Sequence, residues 1–525
     1  MPTQSELPRP PQAPLQAKPV EPDNSIEREK QARPASASTK TITVTRFEFA
    51  GNTLFSSEEL ETVLAGYLNR PVTLLDILDA GDKIADYYVA KGYMLASVNV
   101  PPQKIEGGVV RMLVSEGRIA RVTAEGTDAY DAEELSRYMG DIAPGTIYRG
   151  SELNESMRII NTLPGLTARA VIRPGERYGT SDLVIKATET PVSGSMIVDN
   201  AGRENIGEFR FSTFVQLNNP GGVEDQLQLL GLVSENMLLK YGYLAYSLPV
   251  NFSGTRFEAS VGHAAFEIDG STVSGHNTSG RIGLVHPLLV SAADQLSVRG
   301  GLARTRSNAD VTSSRVSGTS ITVLELGSTY THTYQNLAIS QLVTTIASNF
   351  DQQTRADIND AFLTLPNGKV LSADERLRLE LDLQHLQPLP ASFQLLGRLD
   401  GVYSPDPLAD TEQFSLGGPN SVRGYPASEV RGDAGYLASL ALQKSIDAGP
   451  VRLLARAFAE GGQVFIQDAD PGVDDSTSLT AVGIGGDAAF SRVSLKLDWA
   501  FPLDDRTVSD GRDDSRVFGS LAVTF

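Results

Sequence analysis

"LRLELDLQ", residues 377 to 384, alternates leucine with a charged or polar residue along its whole length. Successive side chains of a β-strand point to opposite faces of the sheet, so this stretch predicts a strand with one apolar and one polar face. "VSLKLDWAF" (493 to 501) repeats the pattern and adds aromatic residues on the apolar face. Both stretches therefore predict a sheet with one apolar surface.

The alternation continues from about Val192 to the end of the chain, and Gly, Asn and Asp mark the turns. A soluble β-sandwich also alternates, with its apolar face turned inward. An unbroken run of strands, with long loops alternating with tight turns, favours a closed transmembrane barrel instead. At roughly 20 residues for each strand and its connection, residues 191–525 predict an all-β barrel of about sixteen antiparallel strands.

The end of the chain has the same pattern. "RVFGSLAVTF" (516 to 525) places Phe525 on the apolar face as the last residue. Transmembrane barrels carry aromatic girdles at both membrane interfaces. We therefore interpret Phe525 as a C-terminal barrel signal.

Two small α/β modules are predicted before the barrel, at residues 41–117 and 118–190. From Thr41 the pattern is β-α-α-β-β, and "FEFAGNTLFSSEEL" (47 to 60) aligns without gaps on "VTAEGTDAYDAEEL" (122 to 135). Such self-similarity at a fixed period indicates consecutive copies of one structural unit.

Residues 1–40 are rich in Pro, Gln, Ala, Ser and charged residues and hold few large apolar side chains. We expect a flexible segment with a short helix at 24–33, because so little apolar surface cannot offset the entropy of ordering. The start, "MPTQSELPRP", has neither a charged n-region nor an apolar h-region, so an export signal is expected to be absent from this chain.

Composition excludes several classes of function. The chain has 525 residues, a net charge of -19 and no cysteine. Nucleic acid binding needs a basic surface, so we expect no nucleic acid partner. The sequence holds no run of about 18 apolar residues and so predicts no transmembrane helix.

"GGPNSVRGYP" (417 to 426) lies in a connection of about thirty residues, whereas most connections need about four to six. An ordinary Gly/Pro-rich surface turn would explain its composition. A phosphate-binding loop is disfavoured, because neither a strand-to-helix context nor a Gly-Lys-Ser/Thr sequence accompanies these glycines.

Part of this turn closely resembles a family signature: Val422, Arg423, Gly424 and Tyr425. In the POTRA-plus-barrel outer-membrane assembly superfamily, a V-R-G-Y or V-R-G-F turn forms the tip of a long loop folded back into the barrel. Two α/β repeats before one barrel resemble its two-partner-secretion branch, the TpsB transporters of the ShlB/FhaC/HecB family. Members of that branch export one large exoprotein. The resemblance covers residues 41–525.

The family's second signature, F-x-D-x-G on a barrel strand, corresponds to three residues here: Phe458, Glu460 and Gly462. Alternation along "VRLLARAFAEGG" (451 to 462) places Glu460 on the lumen side. The resemblance implies that Glu460 pairs with Arg423, since a buried guanidinium needs a carboxylate partner. Glutamate is one methylene longer than the family's aspartate. Two other lumen carboxylates remain alternative partners: Asp487 and Asp498.

No enzyme, metal site or cofactor is expected. The chain lacks a G-x-S-x-G elbow, and its five histidines show no H-x-x-x-H spacing. "DADPGVDD" (468 to 475) resembles the start of a calcium loop, but Leu479 stands where the bidentate glutamate belongs.

The resemblance implies a location in the outer membrane of a Gram-negative bacterium, with POTRA-like modules in the periplasm and lipid around the barrel. The implied partner is a large secreted exoprotein, bound through its N-terminal secretion domain and translocated through the barrel. The modules would bind unfolded chain by strand addition, and residues 24–33 are the candidate plug of the resting pore. The alternative function is an insertase for outer-membrane β-barrel proteins. A passive porin and a soluble adhesin are disfavoured.

Overall fold

The computed structural model describes residues 25–26, 40–140, 142, 144–177, 179–312, 314–349, 377–409, 411–467, 474–504, 508–511 and 514–525. Two compact units lie within them, one in Glu21–Glu189 and one that includes Thr190–Phe525. Throughout these residues, no helix combines the length and apolar character needed to cross a membrane.

Helices and short sheets make up the N-terminal unit. Its elements in chain order are β1 (Ser25–Ile26), β2 (Ile42–Thr43), β3 (Arg46–Ala50), α1 (Ser57–Val63), β4 (Pro71–Val72), α2 (Leu74–Ala90), β5 (Ser97–Asn99), β6 (Val109–Ser115), β7 (Arg118–Glu125), α3 (Ala132–Arg137), α4 (Gly150–Ile160), β8 (Leu166–Pro174) and β9 (Thr180–Glu189). The first module contains the sheet β3-β6-β5, and the second contains β1-β8-β9-β7. Each sheet packs against helices around its own apolar core.

Helix α2 shows how the sequence sets these elements. Thr73 caps its N-terminus by accepting a hydrogen bond from the backbone N–H of Asp76, and the Asp76 carboxylate accepts one from the backbone N–H of Thr73. This capping box satisfies two backbone donors that the first helical turn leaves free. The helix then buries its apolar face against the first sheet, with Ile84 and Tyr88 fully enclosed.

A buried carboxylate closes the first module. Glu116 is 5% exposed and accepts hydrogen bonds from the backbone N–H groups of Thr53 and Leu54 and from the hydroxyls of Thr53 and Tyr88. Burial alone would raise the pKa of Glu116, but these hydrogen bonds outweigh it and lower the pKa below the ordinary value. The ionised carboxylate therefore joins the loop at Thr53 to helix α2.

Strand β1, from a distant part of the chain, extends the sheet of the second module by one strand. Ser25 and Ile26 pair in parallel with Val171 and Ile172 of β8. The helix predicted at 24–33 therefore does not include these two residues, and the rest of that range lies outside the described residues.

The second unit is a closed antiparallel barrel. Its strands are β10 (Val192–Asp199), β11 (Arg210–Asn218), β12 (Gln226–Ser234), β13 (Leu239–Pro249), β14 (Arg256–Glu267), β15 (Val273–Val290), β16 (Asp294–Val311), β17 (Ser314–Thr333), β18 (Ile339–Asn349), β19 (Arg378–Pro388), β20 (Phe393–Tyr403), β23 (Ala434–Ala448), β24 (Val451–Phe465), β25 (Ser476–Phe490), β26 (Val493–Pro502) and β27 (Arg516–Thr524). Two short strands, β21 (Phe414–Leu416) and β22 (Val430–Gly432), pair inside the connection from β20 to β23. The described residues thus form the barrel of sixteen strands that the sequence predicted.

The apolar face of the barrel points outward. Leu379, Leu381 and Leu383 of β19 are 38%, 39% and 36% exposed, and Leu497 and Trp499 of β26 are 49% and 46% exposed. A soluble sandwich would bury such residues, whereas a transmembrane barrel presents them to lipid. The outward leucines therefore support the barrel prediction.

The two ends of the barrel differ in their connections. Strand β9 ends at Glu189 and β10 begins at Val192, so the end where β10 starts is joined to the modules. Turns at that end are short, such as residues 449–450 between β23 and β24, while the opposite end has long connections such as residues 404–433. Short periplasmic turns and long outer loops are typical of outer-membrane barrels.

The barrel closes between its first and last strands. Strand β10 has 8 residues and β27 has 9, and five residue pairs join them, from Ser195↔Thr524 to Asp199↔Ser520. On the other side of the barrel, β17 has 20 residues. The closing seam is therefore formed by much shorter strands than the opposite wall.

Candidate functional site

The long connection from β20 to β23 folds into the barrel. The Tyr425 hydroxyl donates a hydrogen bond to the Asp504 carboxylate at 2.8 Å and lies 3.2 Å from the Thr480 carbonyl oxygen of β25. Gly424 lies so close to the wall that an added Cβ would be 2.8 Å from the Pro502 nitrogen and 3.0 Å from the Ala481 Cβ. Only glycine allows this approach without displacing the backbone. The tip of the loop therefore rests on the inner face of β25 and β26.

Arg423 is held by the Glu460 carboxylate. Its backbone N–H donates to Oε2 at 3.0 Å, and its Nε and Nη2 donate to Oε1 at 3.0 and 2.5 Å. The two side chains are 9% and 4% exposed. The guanidinium carbon also lies 3.4 Å from the ring centroid of Phe458, as in a cation–π contact. The structure thus brings the two predicted partners into direct contact.

Asp498 is a second acceptor for the same guanidinium. Arg423 Nη1 donates to Asp498 Oδ2 at 3.2 Å, while Arg456 Nε donates to Asp498 Oδ1 at 2.6 Å. The Asp498 side chain is 1% exposed. A carboxylate removed from water in this way is stable only when cations and hydrogen-bond donors surround it. Of the two alternative carboxylates, Asp498 therefore contacts Arg423 in addition to Glu460.

Asp487, the other alternative, pairs with Arg456 instead. Arg456 Nη2 and Nη1 reach the two Asp487 carboxylate oxygens at 2.8 and 3.0 Å. Lys496 Nζ lies 3.6 Å from Asp498 Oδ2. Within the described residues, three cationic and three carboxylate side chains therefore form one charge-balanced network on β24, β25, β26 and the loop tip.

Apolar contacts hold the rest of the loop. Val422 and Tyr425 are fully buried in a cluster whose other buried members are Leu416, Val430, Leu437, Val464, Leu479, Ala481 and Val508. Gly462 makes room for this cluster, because a Cβ there would be 2.4 Å from the Tyr436 carbonyl oxygen and 2.9 Å from Leu416 Cδ2. The glycine of the second signature therefore permits the loop to pack on β24.

Phe525 lies away from this network, at the seam. Its backbone N–H and carbonyl exchange hydrogen bonds with Gly194 at 3.0 and 3.1 Å, and its side chain is 44% exposed on the outer surface. The structure thus separates the predicted residues into an internal group around Arg423 and a seam residue at the end joined to the modules.

Sequence reasoning missed the contacts that the loop makes with the connection from β26 to β27. Besides Asp504, Ser509 donates to the Glu429 carboxylate through its backbone N–H at 2.9 Å and its hydroxyl at 2.6 Å. The sequence around a carboxylate that directly follows an alternating strand, such as Asp504, does not indicate which loop the carboxylate will contact.

No cluster of His, Asp and Glu side chains in the described part of the chain is arranged to bind a metal ion. Most of the calcium-loop-like segment, residues 468–473, lies outside that part.

Comparison with protein families assigns this combination of modules, barrel and internal loop to a known family. The model of the haemolysin secretion/activation protein family, ShlB/FhaC/HecB, matches residues 179–487, and the model of the ShlB-type POTRA domain matches residues 42–117. The chain belongs to the ShlB/FhaC/HecB family. As a member of this family it is an outer-membrane protein of two-partner secretion, with its POTRA domains in the periplasm.

Individual ShlB/FhaC/HecB-type proteins are similar over most of the chain. The haem/haemopexin transporter protein HuxB of Haemophilus influenzae is 23% identical over 89% of this chain and 84% of its own. The haemolysin transporter protein ShlB of Serratia marcescens is 26% identical over 90% and 84%. The solved structure of CdiB from Escherichia coli superposes with a TM-score of 0.71 at 22% identity, covering 94% of this chain and 93% of that one, which shows a shared fold.

Proposed function

We propose that this chain binds one large, unfolded exoprotein in the periplasm and passes it through the barrel to the cell surface. The observation that carries the proposal is the internal loop, whose tip is anchored to the barrel wall by Arg423, Glu460 and Asp498. A loop held inside a barrel occupies the space that a translocating chain needs. Its anchor therefore controls the path.

The anchor suits a conformational gate better than a permanent plug. Moving the loop separates Arg423 from two carboxylates, and an unpaired charge left in a water-poor site costs about 3–5 kcal/mol. Water or a polar client chain entering the lumen would lower that cost by solvating the separated groups. Entry of the client and release of the loop are therefore coupled.

The domain arrangement that we propose has POTRA modules at 41–117 and 118–190 and the translocating barrel at 191–525. The second module has a strand edge suited to client capture. The short strand β1 already pairs with Val171 and Ile172 on that edge of β8, which supports an edge able to accept an extended segment. Strand addition uses main-chain hydrogen bonds and so places few demands on client sequence. The N-terminal secretion domain of the exoprotein is the segment that we expect there.

Photo-crosslinking in cells tests this proposal on the full-length protein. A crosslinking amino acid at Thr167, exposed on β8, should capture the N-terminal region of a single large exported protein. The matched position is Glu133, exposed on helix α3 away from the β8 edge. Equal capture from both positions, or none from Thr167, would contradict the assigned edge. Adducts with many nascent outer-membrane barrels would favour the insertase.

A further inference from the structure

The outer surface of the barrel carries an isolated group of exposed cations: Lys240, Arg304 and Arg306. We call this group, with the two histidines between its members, the basic patch. Across the sheet, Arg306 stands opposite Thr278 and Thr278 opposite His263. Likewise Lys240 stands opposite Ala265, and Ala265 opposite His276. The patch therefore runs continuously over β13, β14, β15 and β16.

The patch lies at the membrane boundary opposite the barrel end where β10 begins. The outward row just below it on the same wall is apolar, with Ile282, Leu302 and Leu324 at 52%, 39% and 46% exposure. Asp294 marks the opposite boundary, where it accepts hydrogen bonds from Tyr330 at 2.6 Å and contacts the His332 ring nitrogen at 2.7 Å. This polar and aromatic group faces outward at the end joined to the modules.

The spacing between these boundaries matches a bilayer. Arg304 lies ten residue steps after Asp294 on β16. At about 3.3 Å per residue and a tilt of about 45°, they cover about 23 Å along the membrane normal, close to the apolar band of about 25 Å in such barrels. Arg304 and Arg306 therefore lie at the headgroups of the outer leaflet.

The patch is not neutralised by the protein. None of the ion pairs among the described residues involves Lys240, Arg304 or Arg306, and the Arg304 contact is a hydrogen bond of 3.3 Å from Nη2 to the Ser320 hydroxyl. Two acidic residues, Glu267 and Asp310, occupy the outermost row of the same wall. A shallow cleft of about 420 Å³ extends beside Lys240, His263 and His276, and these same two acidic residues line its outer end.

We propose that the basic patch binds the phosphorylated sugar headgroup of the outer-leaflet glycolipid, the lipid A class. Arginine holds phosphate through paired N–H donors, and lysine adds a point charge. The cleft offers room for a sugar beside Lys240, and the apolar row of Ile282, Leu302 and Leu324 continues down the barrel where the acyl chains would lie. Cations exposed at a lipid boundary are attracted to anionic headgroups. In a chain of net charge -19, their concentration on one wall is best explained by such a ligand.

The test compares binding of diphosphoryl lipid A and its dephosphorylated form to the detergent-solubilised full-length protein, by native mass spectrometry. The variant carries Lys240→Gln, Arg304→Gln and Arg306→Gln. Each cation at an anionic lipid surface contributes about fivefold to affinity, so the triple variant should bind diphosphoryl lipid A about 100-fold more weakly. Binding of the dephosphorylated form should stay unchanged.

Two controls separate charge from position and folding. Arg304→Lys with Arg306→Lys keeps the charge and should retain most of the affinity. Lys444→Gln removes an outward cation at the opposite end of the barrel, where it lies 4.7 Å from the Phe393 ring centroid, and should have no effect. All variants should keep the heat-modifiable gel mobility of a folded barrel.

Three results would overturn the proposal. The first is a wild-type protein that binds both forms of lipid A equally. The second is a triple variant that binds diphosphoryl lipid A like the wild type. The third is phosphatidylglycerol binding as tightly as diphosphoryl lipid A with the same loss in the triple variant, which would make the patch a general anionic-lipid surface.

Discussion

Replacing Glu460 should release the internal loop by a predictable amount. Glu460→Ala removes three hydrogen bonds to Arg423, but leaves the guanidinium its contact with Asp498 at 3.2 Å. Breaking a buried ion pair costs about 3–5 kcal/mol. Because one acceptor remains, we expect the lower value, about 3 kcal/mol. That free energy corresponds to a population of released loop about 100-fold larger.

The absence of cysteine from the chain makes this population measurable. Val422 is fully buried beside Arg423, so a Val422→Cys reporter reacts with a maleimide only when the loop leaves the wall. In that background, the labelling rate should rise about 100-fold with Glu460→Ala. Glu460→Asp, which keeps the charge and restores the family's residue, should raise it less than tenfold.

A double-mutant cycle provides the control for direct coupling. If Arg423 and Glu460 act as a pair, Arg423→Ala and Glu460→Ala together should raise the labelling rate less than the product of the single effects. An unchanged rate in Glu460→Ala, or strictly multiplicative effects, would refute the reasoning.

Reversing both charges should restore secretion only in part, because the new carboxylate at position 423 would face buried Asp498. Adding Asp498→Asn should improve the rescue.

Three other changes have expected outcomes. Gly424→Ala should reduce export of the exoprotein while the barrel stays folded, because the new Cβ would meet the Pro502 nitrogen at 2.8 Å; export and heat-modifiable gel mobility measured together check this. Tyr425→Phe removes the hydrogen bond to Asp504 and should raise labelling at position 422 about tenfold, since such a bond to a charged group contributes about 1.5 kcal/mol. When residues 40–189 are studied as a separate protein, ionised Glu116 should make their folding stability depend on pH. Because folding lowers the pKa of Glu116, this stabilisation is complete above the ordinary carboxyl pKa and is lost as the pH falls through the pKa of the folded state. Glu116→Gln should lower the melting temperature at neutral pH and flatten its dependence on acid pH in a circular dichroism titration.

Local patterns were sufficient to predict the barrel. The alternation at Leu377 to Leu383 depends only on which side of a strand each residue occupies, and the structure exposes these leucines to lipid as expected. The strand count also followed, because each strand and its connection need a similar length of chain.

The charge network around Arg423 could be predicted only in part. Alternation placed Glu460 and Asp498 toward the lumen, but which of them reaches Arg423 depends on the register between strands and on where the loop tip rests. In the structure both do, and Arg456 links Asp498 to Asp487 across three strands. No local sequence pattern predicts these contacts, because the residues that form them are up to 75 positions apart in the chain.

The conformation of Ser25 and Ile26 also could not be predicted from the local sequence. The composition of residues 24–33 suggested a helix, yet Ser25 and Ile26 take the strand conformation that the edge of β8 offers them. A partner strand supplied by another part of the chain overrides a weak local preference.

The short strands at the seam have a consequence for the surrounding lipid. At about 3.3 Å per residue and a tilt of about 45°, the 8 residues of β10 cover about 19 Å along the membrane normal, less than the apolar band of about 25 Å that outer-membrane barrels usually present. A bilayer next to a surface that is too short becomes thinner to avoid exposing its acyl chains. The membrane should therefore be indented along one side of this protein, and the indentation should follow β10 and β27 around as the barrel rotates in the plane of the membrane.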